Sequence, residues 1–250
     1  MVKLVGEYGS HQTILEIGPG KGVLTKELVK IADRVIAVEI DTNLKTFLDP
    51  LVQQYSNLEV VYGDILRLNL LELGLKDGEY SLASNLPYEI TGAVFRQFLT
   101  KPPFPSHLAL LIQKEVAERV TAKAGQLSIL GLSVQAFARP RIVRIVDRTA
   151  FSPKPAVQSA IVSVEQVRNE PTVQIEREKA FFRLIKAGFA QKRKLLRGNL
   201  QNMNINGKLI PKEAIIRAFQ DIGLGDNARA QELTLVQWVS LVDKLEKFIV

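Results

Sequence analysis

The sequence predicts an α/β fold in which a mostly parallel sheet is followed by a small all-α domain. Over the first two-thirds of the 250 residues, short apolar runs alternate with helical patterns, which is typical of parallel strands covered by helices on both faces. After Pro171 the pattern is helical to the C-terminus. We therefore expect two domains, residues 1–168 and residues 169–250, with the boundary in the polar stretch 168–172.

Seven apolar runs are predicted as strands. Five are separated by helical patterns and are predicted to be parallel, namely residues 13–17, 35–40, 58–62, 80–84 and 107–113. Two more have no long helix between them, which favours an antiparallel pair at the sheet edge, residues 141–146 and 160–166. The C-terminal domain is predicted to contain helices over residues 178–190, 194–201, 212–220 and 235–248. Trp238 lies on the apolar face of the last helix and is predicted to be a core residue.

Composition excludes several classes of site. The chain has no cysteine, which excludes disulfides, thiolate zinc sites, iron–sulfur clusters and cysteine nucleophiles. Its only histidines, His11 and His107, argue against a histidine-rich metal site, and we expect no metal. No apolar run approaches the roughly 20 residues of a membrane span, and residues 1–12 lack the apolar core of a signal peptide. We therefore expect a cytoplasmic protein without membrane association.

Basic residues are clustered along the chain, whose formal net charge is +7. One cluster has no acidic residue within it and comprises Arg183, Lys186, Lys192, Arg193, Lys194 and Arg197. A second cluster includes the single acid Asp147 and comprises Arg139, Arg141, Arg144, Arg148 and Lys154. This distribution predicts a one-sided basic surface and favours a polyanionic partner.

A glycine-rich turn, Glu16-Ile-Gly-Pro-Gly-Lys-Gly22, follows the first predicted strand. Glycines let the backbone turn sharply and approach a ligand closely before a helix N-terminus. Gly18 and Gly20 fit the dinucleotide fingerprint Gly-x-Gly-x-x-Gly, but its third glycine falls on Val23, so a nicotinamide cofactor is disfavoured. The spacing Glu-x-Gly-x-Gly-x-Gly instead resembles the first motif of class I methyltransferases, which use S-adenosylmethionine.

Two carboxylates follow the second and third predicted strands. Glu39, with Ile40 beside it, can accept hydrogen bonds from both ribose hydroxyls of a nucleoside. A solvated strand-end acid is the alternative, and Asp41 competes for the role. Asp64 can accept from an adenine amino group while the Ile65 amide donates to a ring nitrogen, with a turn-forming aspartate as the alternative. In register with the glycine turn, these residues are predicted to bind the cofactor.

The motif Asn85-Leu-Pro-Tyr88 ends the fourth predicted strand, where open α/β sheets bind their ligands. An adenine amine is a poor nucleophile because its lone pair is delocalised into the ring. The side-chain oxygen of Asn85 and the carbonyl of Leu86 can accept its hydrogens and direct the lone pair at a methyl donor. Pro87 fixes the turn, and the Tyr88 ring can stack on the base. An ordinary Asx-Pro turn is the alternative.

Six segments resemble the KsgA/RsmA family of ribosomal RNA adenine N6,N6-dimethyltransferases, namely LEIGPGKGVLT, AVEID, GDI, NLPY, FSPKPAVQSAIV and GFAQKRKLLRGNL. The resemblance implies a class I methyltransferase sheet, S-adenosylmethionine as cofactor, and two adjacent adenines near the 3′ end of small-subunit rRNA as target. It also implies an immature small ribosomal subunit as partner of a monomer. Cofactor contacts are implied for Glu16, Gly18, Gly20, Glu39, Ile40, Asp64, Ile65 and Asn85. Target contacts are implied for Asn85, Leu86, Pro87, Tyr88 and Phe151.

Phe151 opens the segment Phe-Ser-Pro-Lys-Pro, whose prolines favour extended backbone. Its ring would cover the second face of an adenine extruded from structured RNA, with a core phenylalanine as the alternative. RNA phosphate contacts are predicted for a set of basic residues whose alternative is a solvated surface: Lys154, Arg183, Lys186, Lys192, Arg193, Lys194 and Arg197.

One departure from the family pattern concerns the N-terminus. Family members usually begin with a basic segment carrying Gln-x-Phe-Leu that lies across the cofactor site, whereas residues 1–12 here contain no such motif. Residues 2–5 resemble the end of a helix, and we expect weaker cofactor and RNA engagement. Two alternatives stay open: a large-subunit rRNA dimethyltransferase of the macrolide-resistance type, and a non-catalytic RNA-binding assembly or transcription factor on the same scaffold.

Overall fold

The computed structural model describes residues 1–7, 13–169, 171–205 and 208–249, and within these ranges its main element is a seven-stranded sheet. In chain order the strands are Thr13–Ile17 (β1), Arg34–Glu39 (β2), Leu58–Tyr62 (β3), Tyr80–Asn85 (β4), His107–Gln113 (β5), Arg139–Val146 (β6) and Ser159–Glu165 (β7). Their spatial order is β3-β2-β1-β4-β5-β7-β6. The strands β1 to β5 are parallel, and β7 is antiparallel to both of its neighbours. The predicted α/β fold and the antiparallel edge pair are therefore confirmed.

The helices connect the strands and form most of the C-terminal region. In chain order they are Val2–Gly6 (α1), Thr25–Leu28 (α2), Lys45–Gln54 (α3), Thr91–Thr100 (α4), Lys114–Val120 (α5), Ile129–Gln135 (α6), Glu178–Gly188 (α7), Leu196–Gln201 (α8), Lys212–Asp221 (α9) and Leu235–Ile249 (α10). The four predicted C-terminal helices are present within two residues of their predicted ends. Within the described residues, no helix combines the length and apolar character needed to cross a membrane, and no group of three or more His, Asp or Glu side chains is placed to hold a metal ion.

Two compact units make up the chain, and one segment lies in a different unit from the predicted one. The first unit is Met1–Glu118 with Ala138–Glu170, and the second is Arg119–Phe137 with Pro171–Val250. Residues 119–137, which the sequence assigns to the sheet domain, therefore belong to the helical unit. The ring of Phe137 lies 5.9 Å from that of Phe182, and the carbonyl of Ala136 accepts a hydrogen bond of 3.0 Å from the amide of Thr172. These contacts join the segment to the C-terminal helices.

The parallel strands direct their carboxyl ends to one edge of the sheet. Ile14 of β1 and Val35 of β2 are completely buried, because apolar side chains point to both faces and helices cover them. On one face, Val5 of α1 belongs to the same buried cluster as Ala83 of β4 and Ala109 of β5. The last residues of β1 to β4 thus share the edge at which the sequence predicts a site.

The second unit is helical and packs around Trp238 of α10. This side chain is completely buried, and its ring stacks on that of Phe189 with centroids 5.8 Å apart. Gly188 ends α7 directly against it, since an added Cβ would lie 2.4 Å from Cη2 of Trp238. The prediction that Trp238 is a core residue is confirmed. A two-stranded hairpin, Asn204–Ile205 (β8) with Lys208–Leu209 (β9), is absent from the sequence prediction.

Candidate active site

The glycine turn after β1 adopts left-handed backbone at each glycine. Gly18, Gly20 and Gly22 have φ of +66°, +58° and +77°, values that side chains with a Cβ rarely adopt. A Cβ on Gly22 would lie 2.4 Å from Cδ1 of Leu51, so this glycine allows the turn to pack on α3. A Cβ on Gly20 would meet no atom within 4 Å. The turn is therefore packed against α3 at Gly22, whereas the space beside Gly20 is open.

Glu39 joins the end of β2 to this turn. Its side chain is almost completely buried, and its Oε2 accepts a hydrogen bond of 3.1 Å from the amide of Gly20. Its Oε1 accepts from the amide of Asp41 at 3.0 Å, whereas Oδ1 of Asp41 accepts from the amide of Asn43. Glu39 is thus the strand-end carboxylate that faces the glycine turn. Ile40 follows it with 70% of its side chain exposed, which is unusual for isoleucine.

Glu16 has a buried, bracing position. Its Oε2 accepts a hydrogen bond of 2.6 Å from Oγ1 of Thr25, at the start of α2. Burial raises the pKa of Glu16 to about 7, the Thr25 hydrogen bond lowers that pKa, and the negative charge of Glu39 raises it. Glu16, which the sequence predicts to contact the cofactor, therefore connects the end of β1 to the start of α2 beneath the glycine turn. Thr25 was not predicted, although a threonine at a helix start is a recognisable signal.

Asp64 and Ile65 lie at the same edge, after β3. The amide of Gly63 donates a hydrogen bond of 2.8 Å to the carbonyl of Glu39, which holds the end of β3 beside β2. Oδ1 of Asp64 accepts from the amide of Leu66 at 3.0 Å, so the carboxylate does form the turn that was its alternative interpretation. One Asp64 oxygen also lies 3.3 Å from Nε of Arg67. Ile65 is buried.

The Asn85–Tyr88 segment turns away from the end of β4 beside the glycine turn. Asn85 is exposed, while Leu86 is buried and its amide donates to the carbonyl of Leu111 at 3.1 Å. The Tyr88 side chain is 40% exposed. A Cβ on Gly18 would lie 3.8 Å from Cδ of Pro87. The two motifs, which are 63 or more residues apart in the sequence, therefore lie next to each other.

Ser84, a buried serine that was not predicted, holds the two motifs next to each other. Oγ of Ser84 donates a hydrogen bond of 2.5 Å to the carbonyl of Ile17. This bond joins the carboxyl ends of β4 and β1 next to the two motifs. In the sequence it is one of two serines in the strand run Tyr80–Asn85, and nothing local distinguishes it from Ser81.

Phe151 lies in the long connection between β6 and β7. Its side chain is half-buried, its backbone is extended with φ of −123° and ψ of 148°, and it follows a 3₁₀ turn at Arg148–Ala150. The connection ends where Ser159 of β7 pairs with Gln113, the last residue of β5. The loop that contains Phe151 therefore lies at the same edge of the sheet as Asn85. Lys154 in the same loop is exposed.

The predicted RNA-binding residues of the second unit fall into two groups. Lys192, Arg193 and Lys194 are exposed and line a cavity of about 620 Å³ after α7, and Lys186 is exposed on α7. Two arginines instead have protein partners, and these are Arg183 with the carbonyl of Ile249 at 2.7 Å and Arg197 with Oδ1 of Asp226 at 2.9 Å. The structure thus brings Lys192, Arg193 and Lys194 together in one lysine-rich turn, whereas Arg183 and Arg197 have contacts within the second unit.

The chain is similar to known proteins over nearly its whole length. The model of the family described as ribosomal RNA adenine dimethylase matches residues 6–247. The ribosomal RNA small subunit methyltransferase A of Dehalococcoides mccartyi is 37% identical over 240 residues, which cover 96% of this chain and 81% of the relative. The protein of the same name from Clostridium botulinum is 33% identical, with 95% and 85% covered.

Two solved structures are similar to this chain over almost its whole length. The 23S rRNA methyltransferase ErmE is similar with a TM-score of 0.74 and 25% identity, over 98% of this chain and 96% of that one. A dimethyladenosine transferase from Plasmodium falciparum has the same fold, with a TM-score of 0.80 and 24% identity over 98% and 94% of the two chains. With the family model matching nearly the whole chain, the protein belongs to the ribosomal RNA adenine dimethylase family.

Proposed function

We propose that this protein is an S-adenosylmethionine-dependent methyltransferase that dimethylates N6 of two adjacent adenines near the 3′ end of small-subunit rRNA. One observation carries the proposal: the glycine turn and the Asn85–Tyr88 segment lie next to each other, with Pro87 beside Gly18. This proximity supports a shared site, because one enzyme needs its cofactor and its target at the same edge of the sheet.

The residues of this edge fit the nucleoside part of the cofactor. Glu39 uses one lone pair of each carboxylate oxygen for the amides of Gly20 and Asp41, and a carboxylate has further lone pairs for ribose hydroxyls. The open space beside Gly20 leaves room for the ligand, and exposed Ile40 offers an apolar surface for a base. When bound, S-adenosylmethionine supplies an electrophilic methyl group on its sulfonium.

Asn85 and Leu86 act on the target amine. The Asn85 side-chain oxygen and the Leu86 carbonyl accept the two amine hydrogens, so the nitrogen lone pair points away from the ring and toward the methyl group. Tyr88 is sufficiently exposed to stack on the base, and Phe151 covers its second face. The proton leaves to water after methyl transfer. A second transfer to the same nitrogen completes the dimethylation, and in that step one amine hydrogen remains for the two acceptors.

The RNA substrate is favoured by charge and by the relatives. Residues 1–168 hold the catalytic site in this proposal, and residues 169–250 help to dock RNA through Lys192, Arg193 and Lys194, which are exposed together. Curated relatives named for the small subunit are up to 38% identical, compared with 25% for ErmE, which acts on 23S rRNA. We propose a monomer that acts on the immature small subunit in the cytoplasm.

The test is methyl transfer from radiolabelled S-adenosylmethionine to small subunits that lack the modification, with the methylated position mapped. Asn85→Ala is expected to lower turnover by about 10²- to 10³-fold, as for loss of one electrostatic catalytic contact. RNA affinity should change little. Asn202→Ala is the control, because this exposed amide only donates to the carbonyl of Gly198 at 2.9 Å. Normal turnover of Asn85→Ala contradicts the catalytic assignment, and methylation of large-subunit rRNA instead contradicts the substrate.

A further inference from the structure

The outer strand β6 contains a bulge at Val143. Arg141 pairs with Ser163 and Ile142 with Val162 of β7, but the next pair is Arg144 with Ile161, so Val143 has no opposite residue. A bulge adds one residue to one strand, and the side chains beyond it lie on the face opposite to the one that simple alternation gives.

This bulge places three arginines on one face of the sheet. Directly opposite residues of paired strands share a face, and alternate residues of one strand share a face. Arg139, Arg141 and Arg144 are opposite Glu165, Ser163 and Ile161, which alternate along β7. In a regular register Val143 would be opposite Ile161, and Arg144 would then point to the other face. The bulge therefore extends a row of arginines.

The same register connects Arg144 to the proposed catalytic amide. Arg144 pairs with Ile161, Ile161 pairs with Leu111 of β5, and Leu111 pairs with Asn85. Arg144 and Asn85 therefore lie in one cross-strand row on one face. With neighbouring strands about 4.8 Å apart, three strand steps separate them by about 14 Å. A long arginine side chain spans part of this distance.

The arginines of the row differ in their contacts. Nε of Arg141 lies 2.6 Å from Oε1 of Glu165, which also accepts a hydrogen bond of 2.8 Å from Oγ of Ser163, so Arg141 is held by the sheet. Arg139 and Arg144 are exposed. Charged residues on an outer strand also prevent edge-to-edge pairing, but that role does not require a bulge that brings Arg144 to the face of Asn85.

We infer that Arg144 binds a phosphate of the RNA strand next to the extruded target adenine, and that Arg139, at the start of β6 and on the same face, binds a phosphate farther along that strand. A guanidinium binds a phosphate through two parallel hydrogen bonds, which fixes the strand as well as attracting it. Five basic residues and one acid lie between Arg139 and Lys154, so the outer strand and its following loop match a polyanion in charge. The inference rests on the proposed function and assigns it a second RNA-binding surface, apart from the lysine-rich turn.

The test is the salt dependence of affinity for an RNA hairpin with two adjacent adenines. Arg139→Gln with Arg144→Gln is expected to lower the slope of log K against log salt by about 2, or about 1 for each lost phosphate contact. In methyl transfer, KM should rise while kcat changes little. The control is Lys76→Gln with Lys101→Gln, which removes the same charge from exposed residues that precede β4 and β5 and lie outside β6 and its following loop. Equal slopes for the two double variants contradict the inference.

Exchanging the side chains of positions 144 and 145, as Arg144→Ile with Ile145→Arg, tests the geometry at constant charge. Ile145 is opposite Ala160, which precedes Ile161 on β7, so the exchange moves the arginine to the other face of the sheet. The variant whose thermal unfolding matches the unaltered protein should lose as much RNA affinity as Arg144→Gln alone. Unchanged affinity in that variant contradicts the inference. Failure of the proposed function is a different result, because the unaltered protein would then show no methyl transfer whatever its salt dependence.

Discussion

The amide of Gly20 donates a hydrogen bond of 3.1 Å to Oε2 of Glu39, so the glycine turn after β1 is attached to the carboxyl end of β2. Because the Glu39 side chain is almost completely buried, this bond is shielded from water and positions the turn firmly. The space beside the α-carbon of Gly20 is open, with no atom within 4 Å of an added Cβ. The turn is therefore a firmly positioned backbone segment beside an open space, as the binding of a nucleoside would require.

Gly20→Ala is expected to weaken cofactor binding by about tenfold or more, because its methyl group would project into the space beside the turn. Gly78→Ala is the matched control, since Gly78 has φ of +73° against +58° for Gly20 and also has no atom within 4 Å of an added Cβ. Both variants should lose about 1–2 kcal/mol from left-handed backbone. Calorimetric titration with S-adenosylhomocysteine should separate them, and equal Kd values would refute the assignment of Gly20.

Glu16→Gln is expected to stabilise the protein at alkaline pH. The pKa of Glu16 is raised from 4.5 to about 7, so the folded protein keeps a proton that the unfolded chain releases. Stability therefore falls as pH rises from 4.5 to about 7, by about 3 kcal/mol in total. Glutamine can still accept from Thr25 without a charge. Urea unfolding should show a small gain at pH 5 and most of the gain at pH 8.

The control for this pH effect is Glu27→Gln, which removes an exposed carboxylate of α2 that pairs with Lys30 at 2.6 Å. An exposed pair of this kind contributes little to stability at either pH. A similar pH dependence for Glu16→Gln and the unaltered protein would show that Glu16 is ionised without cost in its buried position.

The strands were the most predictable part of the fold. β1, β3 and β5 begin and end at the predicted residues, because each is a short, mostly apolar run bounded by polar residues or glycine. Residues 119–137 were less predictable, since α6 has only seven residues and its place depends on contacts with distant residues. The ring contact between Phe137 and Phe182 is of this kind, and local sequence carries no signal for it.

The site was predictable in residue type but not in contacts. Glu39 and Asp41 are both acids at the end of a strand, and only the fold shows that Glu39 faces the amide of Gly20. Arg183 belongs to a basic run, yet it donates to a carbonyl 66 positions further along the chain, at Ile249. A run of charges predicts a basic surface on average, and the tertiary structure decides which members support the fold.

Gly188→Ala is expected to destabilise the helical unit by about 1–3 kcal/mol, the usual cost of adding volume to a packed core. The added Cβ would lie 2.4 Å from Cη2 of Trp238 and 2.9 Å from Cδ1 of Leu196, both of which are completely buried. Gly198→Ala in α8 is the control, because its Cβ meets no atom within 4 Å and alanine favours helix by about 1 kcal/mol. Opposite shifts in Tm are expected. A stabilised Gly188→Ala would mean that the Trp238 ring can move aside.

His107→Gln is expected to make the free energy of unfolding less sensitive to acid. The ring is completely buried, and its Nε2 lies 2.8 Å from Oγ of Ser163. Burial lowers the pKa of His107 from 6.5 to about 4, the negative charge of Glu165 raises that pKa, and the positive charge of Arg141 lowers it. The unfolded chain therefore binds a proton that the folded protein does not, and stability falls as pH drops from 6.5 to about 4, by about 3 kcal/mol.

The measurement is best made in the Glu16→Gln background, because the buried glutamate acts with the opposite sign between pH 4.5 and 6.5 and would mask the effect of the histidine. In that background, the free energy of unfolding should fall between pH 6.5 and 4.5 with histidine at position 107 and should stay nearly level with glutamine there. Glutamine will also lower stability at neutral pH, since its shape differs from that of the imidazole, so the slope against pH and not the absolute value is the decisive quantity. Parallel slopes in the two proteins would mean that the imidazole gains its proton within the fold, through movement of Ser163 or the entry of water.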